Sequence, residues 1–276
     1  MITQNVSIKL YNAIIENGTR ISQCNHIKVT DDEQEIEKKG YDETIKTKSG
    51  YDMLKDLCFR INKGEKVGII GSSASGKTTI VNLLLRHIDA TSGDILINGI
   101  DIKEYDIESL RNIFSYTPQK TLLFKGSIKE NLSFGNKYNN SDLDSAMSRA
   151  AIKDFIDNNE EGYEYKVEQS AVNLSGGQKQ RVSIARALLN GGECLLFDDS
   201  FSAVDYITDK RIRDSINKNY SDKMVILITQ RVNTIKNSDK IIVINEGKID
   251  GIGTYKELSK SSKVFKEFID SQKREV

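Results

Sequence analysis

The stretch KVGIIGSSASGKTTIVNLLLRHI at residues 66–88 decides the fold. KVGII is a short apolar run with the length and β-branched content of a strand. IVNLLLRHI has the apolar spacing of an amphipathic helix. Between them, GSSASGKT at 71–78 satisfies the pattern G-x-x-x-x-G-K-[ST] without a mismatch, in the strand–loop–helix context that the pattern requires. Its glycines let backbone N–H groups turn toward the β- and γ-phosphates of a nucleotide, and the helix N-terminus adds positive potential at the anion. Lys77 brings a charge to the phosphates, and the Thr78 hydroxyl is a ligand for Mg²⁺. The phosphate-contacting set is therefore Gly71, Ser72, Ser73, Ala74, Ser75, Gly76, Lys77, Thr78 and Thr79.

Downstream, strands alternate with helices. The sequence predicts strands at 94–98, 194–197, 225–229 and 241–245, a stretch at 113–116 that leads into a turn at Pro118, a polar helical section at 127–159, and helices over 178–189 and 255–272. Such alternation predicts an α/β fold with a mostly parallel sheet covered on both faces. Upstream, residues 7–21 place apolar side chains at a roughly helical spacing, and DDEQEIEKK at 31–39 is a solvated charge run. Residues 1–44 are therefore set apart as an N-terminal extension or linker remnant, and residues 45–276 as the nucleotide-binding domain.

Composition agrees. Forty basic residues balance forty acidic ones, so no global field invites nucleic acid. No apolar run reaches the ~18 to 20 residues of a membrane-spanning helix, and the first residues lack the pattern of a secretory signal. Three cysteines, Cys24, Cys58 and Cys194, fit no zinc spacing and are expected as reduced thiols.

ECLLFDDS at 193–200 is an apolar strand ending in two carboxylates. Beside a phosphate loop, an acid at such a strand end holds Mg²⁺, and Asp198 is that candidate, with Asp199 next to it. A second anion-binding helix start occurs at LSGGQ, residues 174–178. One chain does not need two phosphate sites for one nucleotide, so this second site is expected to serve the ATP of another chain.

On LSGGQ, together with GSSASGKT, YTPQ at 116–119, FDDS at 197–200, SAVD at 202–205 and ITQR at 228–231 in that order, residues 54–272 resemble the ATP-binding domain of ABC transporters. The resemblance implies a P-loop NTPase fold with a RecA-like core, a β-subdomain and a helical signature-motif subdomain at about 120–185. It also implies ATP and Mg²⁺ as cofactors, and head-to-tail pairing with a second ABC ATPase domain. In that pairing each ATP lies between one chain's phosphate loop and the other chain's Ser175, Gly176, Gly177 and Gln178. Gln119 would contact Mg²⁺ or the attacking water, Gln230 would take the switch position, and a tyrosine before the loop, Tyr51 or Tyr41, would stack on adenine. Segments 122–135, 166–178 and 232–258 resemble the exporter type, with Glu168 placed before the signature. This implies a transmembrane-domain partner and a peripheral place on the cytoplasmic face of the cell membrane. A soluble relative acting on ribosomes or DNA is the competing class, but a single LSGGQ and the absence of a heptad stretch argue against it.

Two residues depart from the family pattern. Asp199 stands where a glutamate normally polarises the attacking water, and Gln230 stands where histidine is usual. A carboxylate drawn back by about 1.5 Å costs roughly 10²-fold in rate, because positioning dominates phosphoryl transfer. Glutamine cannot carry the charge of an imidazole. The pair resembles the degenerate site of heterodimeric exporters. This implies a slow ATP site on this chain's own loop, and an intact signature that completes a faster site on a partner. The alternative is that Asp199 and Gln230 support ordinary turnover.

Overall fold

The computed structural model describes residues 7–11, 29–30 and 52–273. They fall into two compact units, divided after Asn112 and again after Thr229.

In the first unit, strand Lys66–Gly71 lies parallel to Lys240–Asn245, which turns through a two-residue loop into the antiparallel strand Lys248–Gly253. Val67 to Gly71 are all buried, as expected for a strand covered on both faces. The following helix, Lys77–Leu84, buries Thr79, Ile80, Val81, Leu83 and Leu84. Each such aliphatic side chain is worth roughly 1.5 to 3 kcal/mol of transfer free energy. Arg86 just beyond it has a positive φ of 48°, which ends the helix before the arginine and histidine that the sequence pattern included.

A separate antiparallel sheet runs in the order Arg60–Asn62, Ser7–Tyr11, Asp94–Ile97, Ile100–Asp101. Ser7–Tyr11 is thus a central strand, which corrects the helical reading of this segment. Five residues with apolar groups at 8, 10 and 11 satisfy either period, and partners on both sides decide for the strand. Val29–Thr30 pairs with Asp52–Leu54 in a short ladder. The C-terminal region is two helices rather than one, Tyr255–Ser261 and Lys263–Lys273. The break is Ser262, whose hydroxyl donates to Asp250 Oδ2 at 2.5 Å and accepts from the Phe265 amide at 2.9 Å.

In the second unit, three parallel strands run in the order Met224–Thr229, Cys194–Asp198, Phe114–Thr117. The central one is buried along its whole length. Helix Gly176–Asn190 is the hub of the surrounding helical layer and packs on Ile128–Ser133 and Asn140–Arg149. Lys153–Asp157 and Tyr206–Asn219 complete the longer helices. Cys194 is a free, fully buried thiol, and burial holds it well above the ordinary thiol pKa. Cys58 is disulfide-bonded, against the expectation of reduced cysteines throughout. No helix among the described residues is long and apolar enough to cross a membrane.

Candidate functional site

Chemistry-bearing residues occur in both units. In the first, strand Lys66–Gly71 delivers the chain into the loop, and Lys77 opens the helix behind it. A Cβ at Gly71 would collide with Ser75 Oγ and lie 2.5 Å from the Ile244 carbonyl, so only glycine lets the loop close on itself there. Gly76, the N-cap, has φ of 98°, the left-handed region that glycine enters without strain. Having no side chain, it leaves the first amides of the helix without a side-chain cap, and no acid stands in the first turn. The amides of a helix start need a partner, and here an external anion suits them. The Lys77 ammonium donates to the carbonyls of Gly71 at 2.8 Å and Ser72 at 2.6 Å and lies 3.5 Å from Ser75 Oγ, so the cation is folded across the loop. Ser75 and Thr79 are buried, whereas Ser72, Ser73, Ala74 and Thr78 face solvent. A tight loop with a cation folded across it, leading into a helix start, has the character of a site for a nucleotide polyphosphate.

Gln230 also lies in this unit, with its side chain exposed. Its carbonyl accepts a hydrogen bond of 2.6 Å from Gln272 Nε2, and Val232 N–H donates to Gln272 Oε1 at 2.8 Å. The short helix Val232–Ile235 follows.

In the second unit, Asp198 ends the central strand and is 2% exposed. Asp199 follows at φ of 46°, a left-handed conformation uncommon outside glycine. Its amide donates to the Ile228 carbonyl at 2.8 Å. Gln119 Nε2 donates to Asp199 Oδ2 at 3.4 Å, and Thr229 Oγ1 donates to Asp199 Oδ1 at 3.4 Å. The structure therefore brings two of the candidate residues, Gln119 and Asp199, into contact. Ser200 Oγ donates to the Thr117 carbonyl at 2.8 Å and fixes the turn after the carboxylates. Burial, and secondarily the charge of Asp198, push the Tyr116 phenol up to about 12, so it stays protonated.

The signature begins a helix in a capping box. Ser175 Oγ accepts from the Gln178 amide at 3.2 Å, and Gln178 Oε1 accepts from the Ser175 amide at 2.7 Å. Ser175 and Gly176 are exposed, with Gly177 and Gln178 half-buried behind them. Gln180, one turn on, ties this helix to the segment 202–205. Its Oε1 accepts from Ala203 N–H at 2.8 Å, and its Nε2 donates to Ser202 Oγ at 3.1 Å.

Sequence reasoning missed Gln180, Thr229 and Gln272. Gln180 stands two residues past the signature, and that proximity was the available signal. Thr229 reads as the last residue of a buried strand, and Gln272 as part of a solvated helix. Tyr51 and Tyr41 lie outside the described residues. Among the described residues no cluster of three or more His, Cys, Asp or Glu could cage a metal. Thr78, Gln119 and Asp198 supply a hydroxyl, an amide and a carboxylate oxygen, all hard donors. Thr78 lies in the first unit and Gln119 and Asp198 in the second, and each is a donor type that Mg²⁺ takes.

Comparison with known proteins matches residues 54–202 to the family model described as ABC transporter. Over 225 residues the chain is 40% identical to ABC transporter B family member 1 of Dictyostelium discoideum, covering 81% of this chain and 25% of that protein. It is 36% identical over 224 residues to an uncharacterized ABC transporter ATP-binding protein of Mycobacterium tuberculosis, covering 80% and 38%. Among solved structures it is similar to a bacterial Atm1-family ABC exporter with ATP bound. There the TM-score is 0.83 and the identity 31%, over 99% of this chain and 43% of that one. The chain thus spans a quarter to under half of the length of these relatives.

Proposed function

Because the chain belongs to the ABC transporter family, by its ATP-binding domain, we propose that it is the nucleotide-binding part of an exporter that holds MgATP on residues 71–79. The observation that carries this reading is the phosphate loop itself. The Lys77 ammonium is folded across it, a Cβ at Gly71 would collide with Ser75 Oγ, and Gly76 turns into the helix at φ of 98°.

In this reading the Lys77 ammonium leaves its carbonyl partners for the phosphates. Thr78, Asp198 and Gln119 are the residues that would hold Mg²⁺. Bound Mg²⁺ supplies charge neutralisation at the phosphates. A second ABC ATPase domain pairs head to tail with this one. Ser175, Gly176, Gly177 and Gln178 then face the nucleotide of that partner, with the capping box already orienting Ser175 and the amides of the helix start. A transmembrane-domain protein receives the motion, and the assembly sits on the cytoplasmic face of the membrane.

The chain's own site is slow in this account. Asp199 replaces a longer acid, and both its oxygens are engaged by long hydrogen bonds to Gln119 and Thr229. Gln230 offers an amide where an imidazole is usual. The intact signature points to an asymmetric pair, in which a different chain supplies the complete catalytic set.

Equilibrium binding of MgATP, wild type against Lys77→Ala, tests the nucleotide reading. Loss of charge-assisted contacts worth about 1.5 to 3 kcal/mol weakens affinity roughly 10- to 10²-fold. Equal affinity in the two proteins would exclude the loop as the phosphate site.

A further inference from the structure

The carboxamide of Gln272 is engaged at both ends by the main chain of one short segment. Nε2 donates to the Gln230 carbonyl at 2.6 Å, and Oε1 accepts from the Val232 amide at 2.8 Å. A carboxamide has one acceptor and one donor group set in a plane, so this two-point grip fixes the direction as well as the distance of the chain it holds. The residues gripped flank Arg231, the N-cap of the helix Val232–Ile235, which has no side-chain cap of its own. Gln272 therefore supplies from a distant helix the capping partner that the local sequence lacks.

Other contacts make the grip consequential. The ammonium of Lys236, just past the short helix, sits 5.2 Å from the ring centre of Tyr255, which packs edge-on against the buried Phe265. Both C-terminal helices thus hold the segment, one through Tyr255 and the other through Gln272. On its other side, Ile235 lies over the strand that leads into the phosphate loop. A Cβ built on Gly68 would be 2.5 Å from Ile235 Cβ, so the helix packs on bare backbone there. A displacement at residue 272 has a continuous path through 230–235 to the strand that carries Gly71.

We infer that Gln272 is a positioning residue that sets the Gln230 segment relative to the phosphate-loop strand, through main-chain contacts independent of the side chain at position 230. The inference rests on the reading of Gln230 as the switch residue of a nucleotide site. Gln272 itself touches no reacting atom.

Hydrogen exchange at the Val232 amide, read together with single-turnover hydrolysis of MgATP by the full chain, tests it on Gln272→Ala and Gln272→Glu. Gln272→Ala removes both contacts. It is expected to speed exchange at Val232 at least tenfold and to slow hydrolysis about 3- to 10-fold, with the half-saturating MgATP concentration unchanged within twofold. Gln272→Glu keeps the acceptor and loses the donor. Val232 stays protected while hydrolysis still falls, a split that a loss of general stability would not produce. Unchanged exchange in Gln272→Ala would show that the grip is absent. Faster exchange with unchanged hydrolysis would reduce Gln272 to a cap without influence on the site. A wild-type chain that binds MgATP but shows no turnover would leave the nucleotide-binding reading standing and overturn the role of Gln272 in hydrolysis.

Discussion

Gln119 donates its carboxamide to Asp199 Oδ2 across 3.4 Å, at the long end of the hydrogen-bond range. The two residues reach each other because their strands are neighbours. Phe114–Thr117 runs parallel to Cys194–Asp198, pairing Thr117 with Phe197, so that the chain continuing from each strand leaves on the same edge. Thr229, at the end of the strand on the other side, holds the second carboxylate oxygen at a similar distance. Asp199 is thus spanned from both sides by long bonds, and its main chain is held at φ of 46°.

At Gly68 the short helix Val232–Ile235 lays Ile235 directly on the strand backbone. Gly68→Ala places a methyl against Ile235, and overpacking of a rigid core costs about 1 to 3 kcal/mol. Urea unfolding is expected to show a lower midpoint with an unchanged slope. A midpoint equal to wild type would mean that the short helix rides loosely on the strand.

Gln180 is predicted to hold the segment 202–205 against the signature helix. Gln180→Ala leaves the Ala203 amide and Ser202 hydroxyl without this partner, at a cost of about 1 to 3 kcal/mol. Gln180→Glu keeps the acceptor for Ala203 N–H and is expected to recover part of the loss. Thermal unfolding of the two variants checks the order, and equal loss in both would contradict it.

Asp205 caps the helix Tyr206–Asn219, and the Thr208 amide that it accepts holds its carboxyl below the usual carboxylate value. A depressed folded-state pKa contributes stability that is present above the unfolded value, about 3.9, and is lost as pH falls through the folded one. Asparagine caps about as well without titrating. Asp205→Asn is therefore expected to match wild type near pH 7 and to lose less stability between pH 5 and 3. Parallel acid profiles in thermal unfolding would rule out a titrating cap.

How much could be read from sequence follows the physics of each element. The phosphate loop and the signature were legible because anion binding by backbone amides demands glycines, and a helix start, at fixed spacing. The strand ending in Asp198 was legible because a strand buried on both faces must be continuously apolar. Ser7–Tyr11 was not, since its partners, Arg60–Asn62 and Asp94–Ile97, lie far along the chain and five residues carry either period. The break at Ser262 and the grip of Gln272 were also invisible. Each depends on a hydrogen bond to a residue brought near only by folding, Asp250 in one case and Gln230 with Val232 in the other.

The most direct test of the slow-site account is steady-state ATP hydrolysis at high protein concentration, wild type against the double variant Asp199→Glu/Gln230→His. Each copy carries an intact signature, so two copies of the variant contain every part that the account requires. The account predicts that wild type binds MgATP with little turnover and that the double variant gains about 10- to 10²-fold in rate. Ordinary turnover by the wild type, or no gain in a variant that still binds MgATP, would contradict it.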